Sequence, residues 1–349
     1  MRVDLRDSFK AAVLTRHKTP LEIKELKFPQ LGRGQVLVRV HYSTICASQI
    51  FEISGGRGNT EFLPHLLGHE GVGVVTEIGS EVTRFKSGDK VILTWVQQAG
   101  IECDQITHKT IGDEYINAGK VTTFSEFTVV SENRLIMAPS GIDDSLLPLL
   151  GCSALTGAGM VMEHNIDQKR VLVVGAGGVG IFTILALLHR GVESIHIIEP
   201  STEKRKLIST ISKKLIVYES SEDNAFIREL SSHKDFREVF VCTSNLTALQ
   251  GAISFVSAPG LLVFCTHSNH GDVLQIDPFD LIRGKVILGS WGGGCRNPLI
   301  REKVFELFSE SSHLLNILVS KPFPLGDINK ALDLAKENTQ IRVLLGMNQ

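Results

Sequence analysis

The chain has 349 residues, more than one ordinary domain, and its 43% apolar and 6% aromatic content suits two globular domains. A formal net charge of −2 argues against a nucleic-acid or polyanion binder. No apolar run approaches the ~20 residues of a membrane span, and "MRVDLRDSFKAAV" lacks the apolar core of a signal peptide, so a cytoplasmic protein with no membrane partner is expected.

In chain order, the first 150 or so residues are β-rich. "EIKELKFP" and "QVLVRVHYSTIC" are alternating, β-branched runs separated by the turn cluster "PQLGRG". "GVGVVTEIGSEV" and "DKVILTW" repeat the pattern around "TRFKSGD". Residues 96–120 are polar and are expected to form a long loop or lobe; "FSEFTVVSENRLIMAP" resumes the strands. "DDSLLPLLGCSALTGAGMVME" has an acidic N-cap and helical leucine spacing, and predicts one helix. Beyond it strands and helices alternate. "RVLVVG", "SIHIIEP", "EVFVCT", "GLLVFCT" and "KVILGS" are strands; "GIFTILALLHRG", "STEKRKLISTIS" and "LTALQGAISFVS" are helices. Such alternation implies a parallel sheet covered on both faces. Two helices (300–319 and 327–337) and the strand "IRVLLGM" complete the chain.

Two stretches carry chemistry. In "VLVVGAGGVGIFTILALL", Gly175-x-Gly177-x-x-Gly180 follows a strand and opens a helix. That context predicts a pyrophosphate cradle, with Gly175 in the tight turn, Gly177 and Gly178 at the backbone facing the phosphates, and Gly180 at the helix–strand contact. Glu199 ends the next strand, 19 positions after Gly180, where a carboxylate accepts hydrogen bonds from a ribose and repels a 2′-phosphate. NAD is therefore expected over NADP, although Lys204 and Arg205 stand close enough to tolerate a phosphate. The second stretch, "LPHLLGHEGVGVV", sets His69 and Glu70 among Gly68, Gly71 and Gly73. His69 is either a satisfied histidine in a bent strand or a metal ligand. Six cysteines without any CxxC pair require a metal site to gather its ligands from distant positions.

The succession "GHEGVGVVTEIGSEVTRFKSGDKV", then "VLVVGAGGVG", resembles the zinc-dependent medium-chain alcohol dehydrogenases, from "KAAVL" to "IRVLLGM". The resemblance implies an α/β two-domain chain. A GroES-like β-rich catalytic domain (1–152 and 292–349) would be interrupted by a doubly wound, parallel-sheet Rossmann domain (153–291). It implies catalytic Zn²⁺ ligands at Cys46, His69 and Cys152, a set of two thiolates and one imidazole that leaves a fourth position open. Glu70 would lie beside the metal, Ser48 would take the alcohol's proton, Lys204 would lie near the adenosine ribose and Arg342 at the pyrophosphate. Trp95, Phe124, Thr156 and Trp291 match the substrate pocket; His267, after a strand end of the cofactor half, is a further pocket candidate.

Three departures from the family pattern stand out. Gln49 replaces an Asp that hydrogen-bonds the metal-bound His, and is expected to accept the ring N–H without carrying charge. Phe51 stands where some members have a proton-relaying His. Only Cys103 remains in the lobe that elsewhere binds a structural zinc through four cysteines, so one catalytic zinc and no structural zinc is expected. The function implied is hydride transfer between an alcohol, with a lean to polyols or sugar alcohols, and NAD. The alternatives are a zinc-free, NADPH-dependent quinone or enoyl reductase of the same superfamily, and a cofactor-binding protein without turnover. A homo-oligomer, dimer or tetramer, is expected.

Overall fold

The computed structural model describes residues 8–58, 60–166, 169–219 and 236–347; residues 1–7, where the sequence was read for a leader, lie outside them. The chain divides into two compact units, residues 1–152 with 319–337 and 342–349, and residues 153–318 with 338–341. The segment 292–318, grouped above with the β-rich half, packs within the second unit.

In the first unit the described residues form two sheets. One carries, in order, Glu22–Lys27, Ser8–Leu14, His65–Leu66, Tyr115–Ala118 and Ile106–Lys109. The other runs Leu135–Met137, Lys90–Thr94, Glu70–Ile78, Gln35–Ile45, Val343–Gly346 and Phe323–Pro324, with Phe127–Ser131 also paired to Gln35–Ile45. Leu14, Val40, Ile45, Leu67, Phe124, Ile328, Leu332, Val343 and Leu345 share one core, which ties the last residues of the chain to the first. The Glu70–Ile78 strand runs antiparallel to Gln35–Ile45, with Val40 opposite Gly73 and Ser43 opposite Gly71, and the register shifts twice along the pair. A Cβ at Gly73 would stand 2.2 Å from the carbonyl oxygen of Arg39, so only glycine permits this approach.

The lobe expected as a loop contains the antiparallel pair Ile106–Lys109 and Tyr115–Ala118. Each strand alternates buried and exposed residues over only four positions, too short a period to stand out in polar sequence. The carboxylate of Glu132 ties the start of the lobe to the rest of the unit. Its Oε1 accepts the N–H groups of Thr83 and Arg84 at 2.9 Å, and its Oε2 that of Ile101 at 2.8 Å. Although burial opposes ionisation, the N–H groups of Ile101, Arg84 and Thr83 hold this carboxyl below its ordinary pKa. Ser131 accepts the N–H of Cys103 at 2.8 Å, and Asn133 donates to Glu102 at 2.6 Å.

His108, on the first lobe strand, is 1% exposed. Its ring stands edge-on to Phe9 at 5.8 Å, and neither ring nitrogen has a hydrogen-bond partner. Burial lowers its pKa to about 4. The unfolded chain protonates this ring below about pH 6.5 while the folded chain does not. Stability is therefore full above that pH and is lost as pH falls from 6.5 towards 4, by on the order of 3 kcal/mol. His196 of the second unit, lowered to about 4 by burial and by Arg170, adds to the loss in the same window. Urea unfolding of His108→Leu at pH 7 and pH 4.5 should show a shallower acid loss than the parent; an equal loss in both proteins would contradict a neutral His108.

The second unit is built on a parallel sheet in the order Leu215–Tyr218, Ser194–Ile198, Arg170–Val174, Phe236–Val241, Val256–Phe264, Lys285–Gly289. In sequence order this is 3-2-1-4-5-6, the doubly wound dinucleotide-binding arrangement expected above. Leu172, Val174, Val239, Val241 and Leu262 pack with Leu249 and Ile253 of the Leu246–Phe255 helix, which is why these strands are continuously apolar.

Candidate metal centre and dinucleotide loop

The helix expected across residues 143–163 is broken where the chemistry lies. Leu147–Gly151 form a 3₁₀ turn with Pro148 in its first turn, Cys152 leaves helical geometry (φ −148°, ψ −69°), and the α-helix starts afresh at Ser153. Gly151 explains the break. A Cβ there would stand 2.4 Å from the carbonyl oxygen of Leu93 and 2.7 Å from the Cα of Glu70. Thr94 Oγ1 donates to Gly151 O at 2.7 Å and locks the turn onto the sheet. Cys152 is thereby pressed onto the strand that begins immediately after His69.

Cys46 ends the Gln35–Ile45 strand and caps the Ala47–Ile53 helix in extended geometry. His69 directly precedes the Glu70–Ile78 strand. Gly68 before it has φ +89°, and a Cβ there would collide with Thr123 and Phe124. These three turns converge. The ligand atoms of Cys46, His69 and Cys152 all lie within 4.8 Å of one another, the one such group among the described residues. A tetrahedral zinc with Zn–S of about 2.3 Å and Zn–N of about 2.0 Å needs donor separations of roughly 3.5–3.8 Å, so a modest contraction fits the ion. The donor chemistry, two sulfurs and one imidazole, also suits zinc.

The cluster is electrostatically prepared. A hydrogen bond from Cys152, with Arg342 and His69 adding to it, holds Cys46 well below the ordinary thiol pKa. Sharing that hydrogen bond and being buried hold Cys152 well above it. Arg342 lies just before the Val343–Gly346 strand; its Nη2 faces Cys46 Sγ at 3.7 Å and its Nε faces Glu70 Oε1 at 3.3 Å. Glu70 is fully buried; burial raises its pKa against the opposing charge of Arg342. Arg342 therefore stands against Cys46 and Glu70, a placement its sequence position did not suggest.

Gln49 is oriented differently from the expectation. Its Oε1 accepts the N–H of Gly68, and its Nε2 faces His69 Nδ1 at 3.0 Å. Ser48, one residue earlier on the same helix, has its hydroxyl buried with no hydrogen-bond partner. Phe124 is 1% exposed in the core beside Gly68. Trp95 follows the Lys90–Thr94 strand, whose Thr94 pairs with Glu70, and its carbonyl accepts from Arg134 at 2.6 Å.

In the second unit, Gly175 takes φ +89° at the end of the Arg170–Val174 strand, and a Cβ at Gly180 would stand 2.0 Å from Gly175 O. Gly177 caps the Gly178–His189 helix, and nothing lies within 4 Å of a Cβ placed on it. The helix thus opens with free N–H groups beneath clear space, which suits a phosphate. Glu199 reaches this loop: its Oε2 accepts the N–H of Ala176 at 2.8 Å and its Oε1 that of Ser201 at 2.9 Å. Lys204 is buried and donates to Asn338. Arg205 turns back onto the carbonyls of Glu199 and Pro200 at 2.9 and 2.7 Å. Thr156 is buried in the Ser153–Met162 helix with an unpartnered hydroxyl. His267 and Trp291 follow adjacent strand ends and meet edge to face at 5.4 Å; Trp291 is 65% exposed.

Comparison with known proteins places both units. Residues 32–140 match the Alcohol dehydrogenase GroES-like domain family and residues 162–272 the Putative NAD(P)-binding family. The S-(hydroxymethyl)glutathione dehydrogenase of Photobacterium damsela subsp. piscicida is 27% identical, over 96% of this chain and 99% of that protein. The alcohol dehydrogenase class-3 of Drosophila melanogaster is 26% identical, over 96% and 97%. Among solved structures, an alcohol dehydrogenase zinc-binding domain protein from Burkholderia ambifaria superposes with a TM-score of 0.85 at 21% identity, over 98% of this chain and 99% of that one. The benzyl alcohol dehydrogenase of Acinetobacter calcoaceticus gives 0.83 at 20%, over 98% and 100%.

Proposed function

We propose that this chain is a zinc-dependent medium-chain alcohol dehydrogenase that transfers a hydride between an alcohol and NAD, as its matches to GroES-like and NAD(P)-binding domains and to dehydrogenases along its length support. The observation that carries the proposal is the convergence of Cys46, His69 and Cys152 from three distant turns. The same convergence disfavours the zinc-free reductase, which has no use for paired buried thiols at this place.

When bound, zinc supplies a Lewis acid for the alcohol oxygen and NAD supplies the hydride acceptor. Cys46, His69 and Cys152 would hold the metal, one ion per chain, with no second, structural zinc. Arg342 would offset the negative charge of Cys46 and of Glu70, in addition to the pyrophosphate contact expected of it. Ser48 receives the alcohol's proton: a buried hydroxyl without a partner has both its donor and its acceptor capacity free for a substrate hydroxyl. Phe51, an apolar ring, offers no group to pass that proton on. Gly175, Gly177, Gly178 and Gly180 would cradle the pyrophosphate and Glu199 and Lys204 the adenosine ribose. Trp95, Phe124, Thr156, Trp291 and His267 remain the residues assigned to the substrate pocket. Trp291 and His267, two exposed rings that meet edge to face and each carry a ring nitrogen, lean the substrate class towards polyols. A cytoplasmic homo-oligomer completes the proposal. All six cysteines are free thiols, as a reducing compartment requires, and no described helix is long and apolar enough to cross a membrane.

The test is cofactor reduction with a panel of primary, secondary and polyhydroxy alcohols, using NAD⁺ and NADP⁺ in parallel. Alcohol-dependent NADH formation is expected. Glu199→Ala should narrow the NAD⁺ preference by about tenfold, the size of one lost hydrogen bond to a charged group. An unmoved preference would remove Glu199 from the ribose site, and no reduction with any alcohol would remove the activity.

A further inference from the structure

The Gln49 side chain fixes the proton of His69 in a way opposite to what metal binding needs. The N–H of Gly68 is a donor and nothing else, so the end of the Gln49 amide facing it is the oxygen. The other end, an NH₂ with no acceptor capacity, then faces His69 Nδ1 at 3.0 Å. Nδ1 accepts that bond through its lone pair. In neutral imidazole the ring proton then sits on Nε2, the nitrogen that Gln49 does not engage. A metal ligand needs that nitrogen's lone pair and therefore the proton on Nδ1.

We propose that Gln49 is a positioning residue that acts as a metal-coupled amide switch. Metal-free, it holds His69 in the Nε2–H form; on metal binding its amide turns over, Oε1 accepts the new Nδ1–H, and Gly68 N–H loses its partner. The inference rests on the reading of Cys46, His69 and Cys152 as the zinc ligands. Its content is that this chain binds zinc more weakly than its donor set allows, because one buried amide cannot satisfy Gly68 and a ligating His69 together. A carboxylate of the same shape satisfies both, since each of its two oxygens accepts.

Two measurements on the full chain test this. In competition between the chain and a chromophoric chelator for Zn²⁺, Gln49→Glu should bind zinc at least about tenfold more tightly than the parent, the lower end of what outer-shell partners of a ligating histidine contribute. Equal or weaker binding by a folded Gln49→Glu would overturn the switch. Nitrogen-15 spectra of histidine-labelled parent protein, with His69 assigned by its absence in His69→Gln, should show the proton on Nε2 without metal and on Nδ1 with zinc. The same tautomer in both states would overturn it even if Gln49→Glu did not fold. Parent protein that binds no zinc, or a Cys152→Ser variant that binds it as tightly as the parent, would instead sink the ligand assignment.

Discussion

Cys152→Ser should lower turnover by at least about a thousandfold while leaving NADH binding close to its parent value. A Lewis acid contributes several kcal/mol to a hydride transfer from an alcohol, and every 1.4 kcal/mol is tenfold in rate. Serine cannot stand in for the lost ligand, because its hydroxyl does not ionise as a thiol does and is a hard donor where zinc favours sulfur. Relocation of a neighbouring group is equally blocked. The Cys152 backbone is fixed by the close approach of Gly151 to Glu70 and by the Thr94 hydrogen bond to Gly151. The dinucleotide loop, Gly175 to Gly180 with Glu199, lies in the other compact unit and shares no described hydrogen bond with Cys152. Steady-state turnover together with an NADH fluorescence titration separates the two effects. Unchanged turnover would take the metal out of the mechanism.

The largest effect on stability is expected from Glu132→Ala. Three backbone N–H groups, of Thr83, Arg84 and Ile101, lose a charged acceptor at once. A hydrogen bond to a charged group contributes about 1.5–3 kcal/mol, and partial rescue by water brings the expected loss to roughly 3–5 kcal/mol. For a unit of this size that lowers Tm by roughly 10 °C. Glu132→Gln should recover part of the loss, since an amide oxygen accepts in the same place but carries no charge. A thermal melt of Glu132→Ala that superposes on the parent's would show that the lobe is held by something else. The carboxylate acts where a metal site with four cysteines would otherwise gather the lobe: it fixes Ile101, two residues before Cys103, to the loop at residues 83–84.

The doubly wound sheet was legible because its strands are buried on both faces and punctuated by glycine, a pattern that "RVLVVG" and "SIHIIEP" carry openly. The first unit's long strands were legible from alternation. The lobe hairpin was not, since two four-residue strands with polar outer faces fall below any periodic signal. The single helix expected over 143–163 was misread because leucine spacing fits a 3₁₀ turn as well as an α-helix over five residues. Gly151 beside Cys152 was the available sign that the chain must bend there. The convergence of Cys46, His69 and Cys152 followed from family resemblance, as spacing alone relates nothing so far apart. Two features had no signal in the sequence. Arg342 reaches Cys46 from 296 positions away. The Gln49 amide points its NH₂ at His69 because Gly68, at φ +89°, turns its own N–H onto Oε1. Side-chain orientation of this kind depends on a backbone conformation that the residue types allow but do not dictate.

The most direct measurement is the zinc content of the purified, active protein, taken alongside that of Cys46→Ser, His69→Gln and Cys152→Ser. The account requires about one zinc ion per parent chain and its loss in each of the three variants. A parent protein that oxidises alcohol with NAD⁺ while containing no zinc, or variants that retain the full complement, would contradict it.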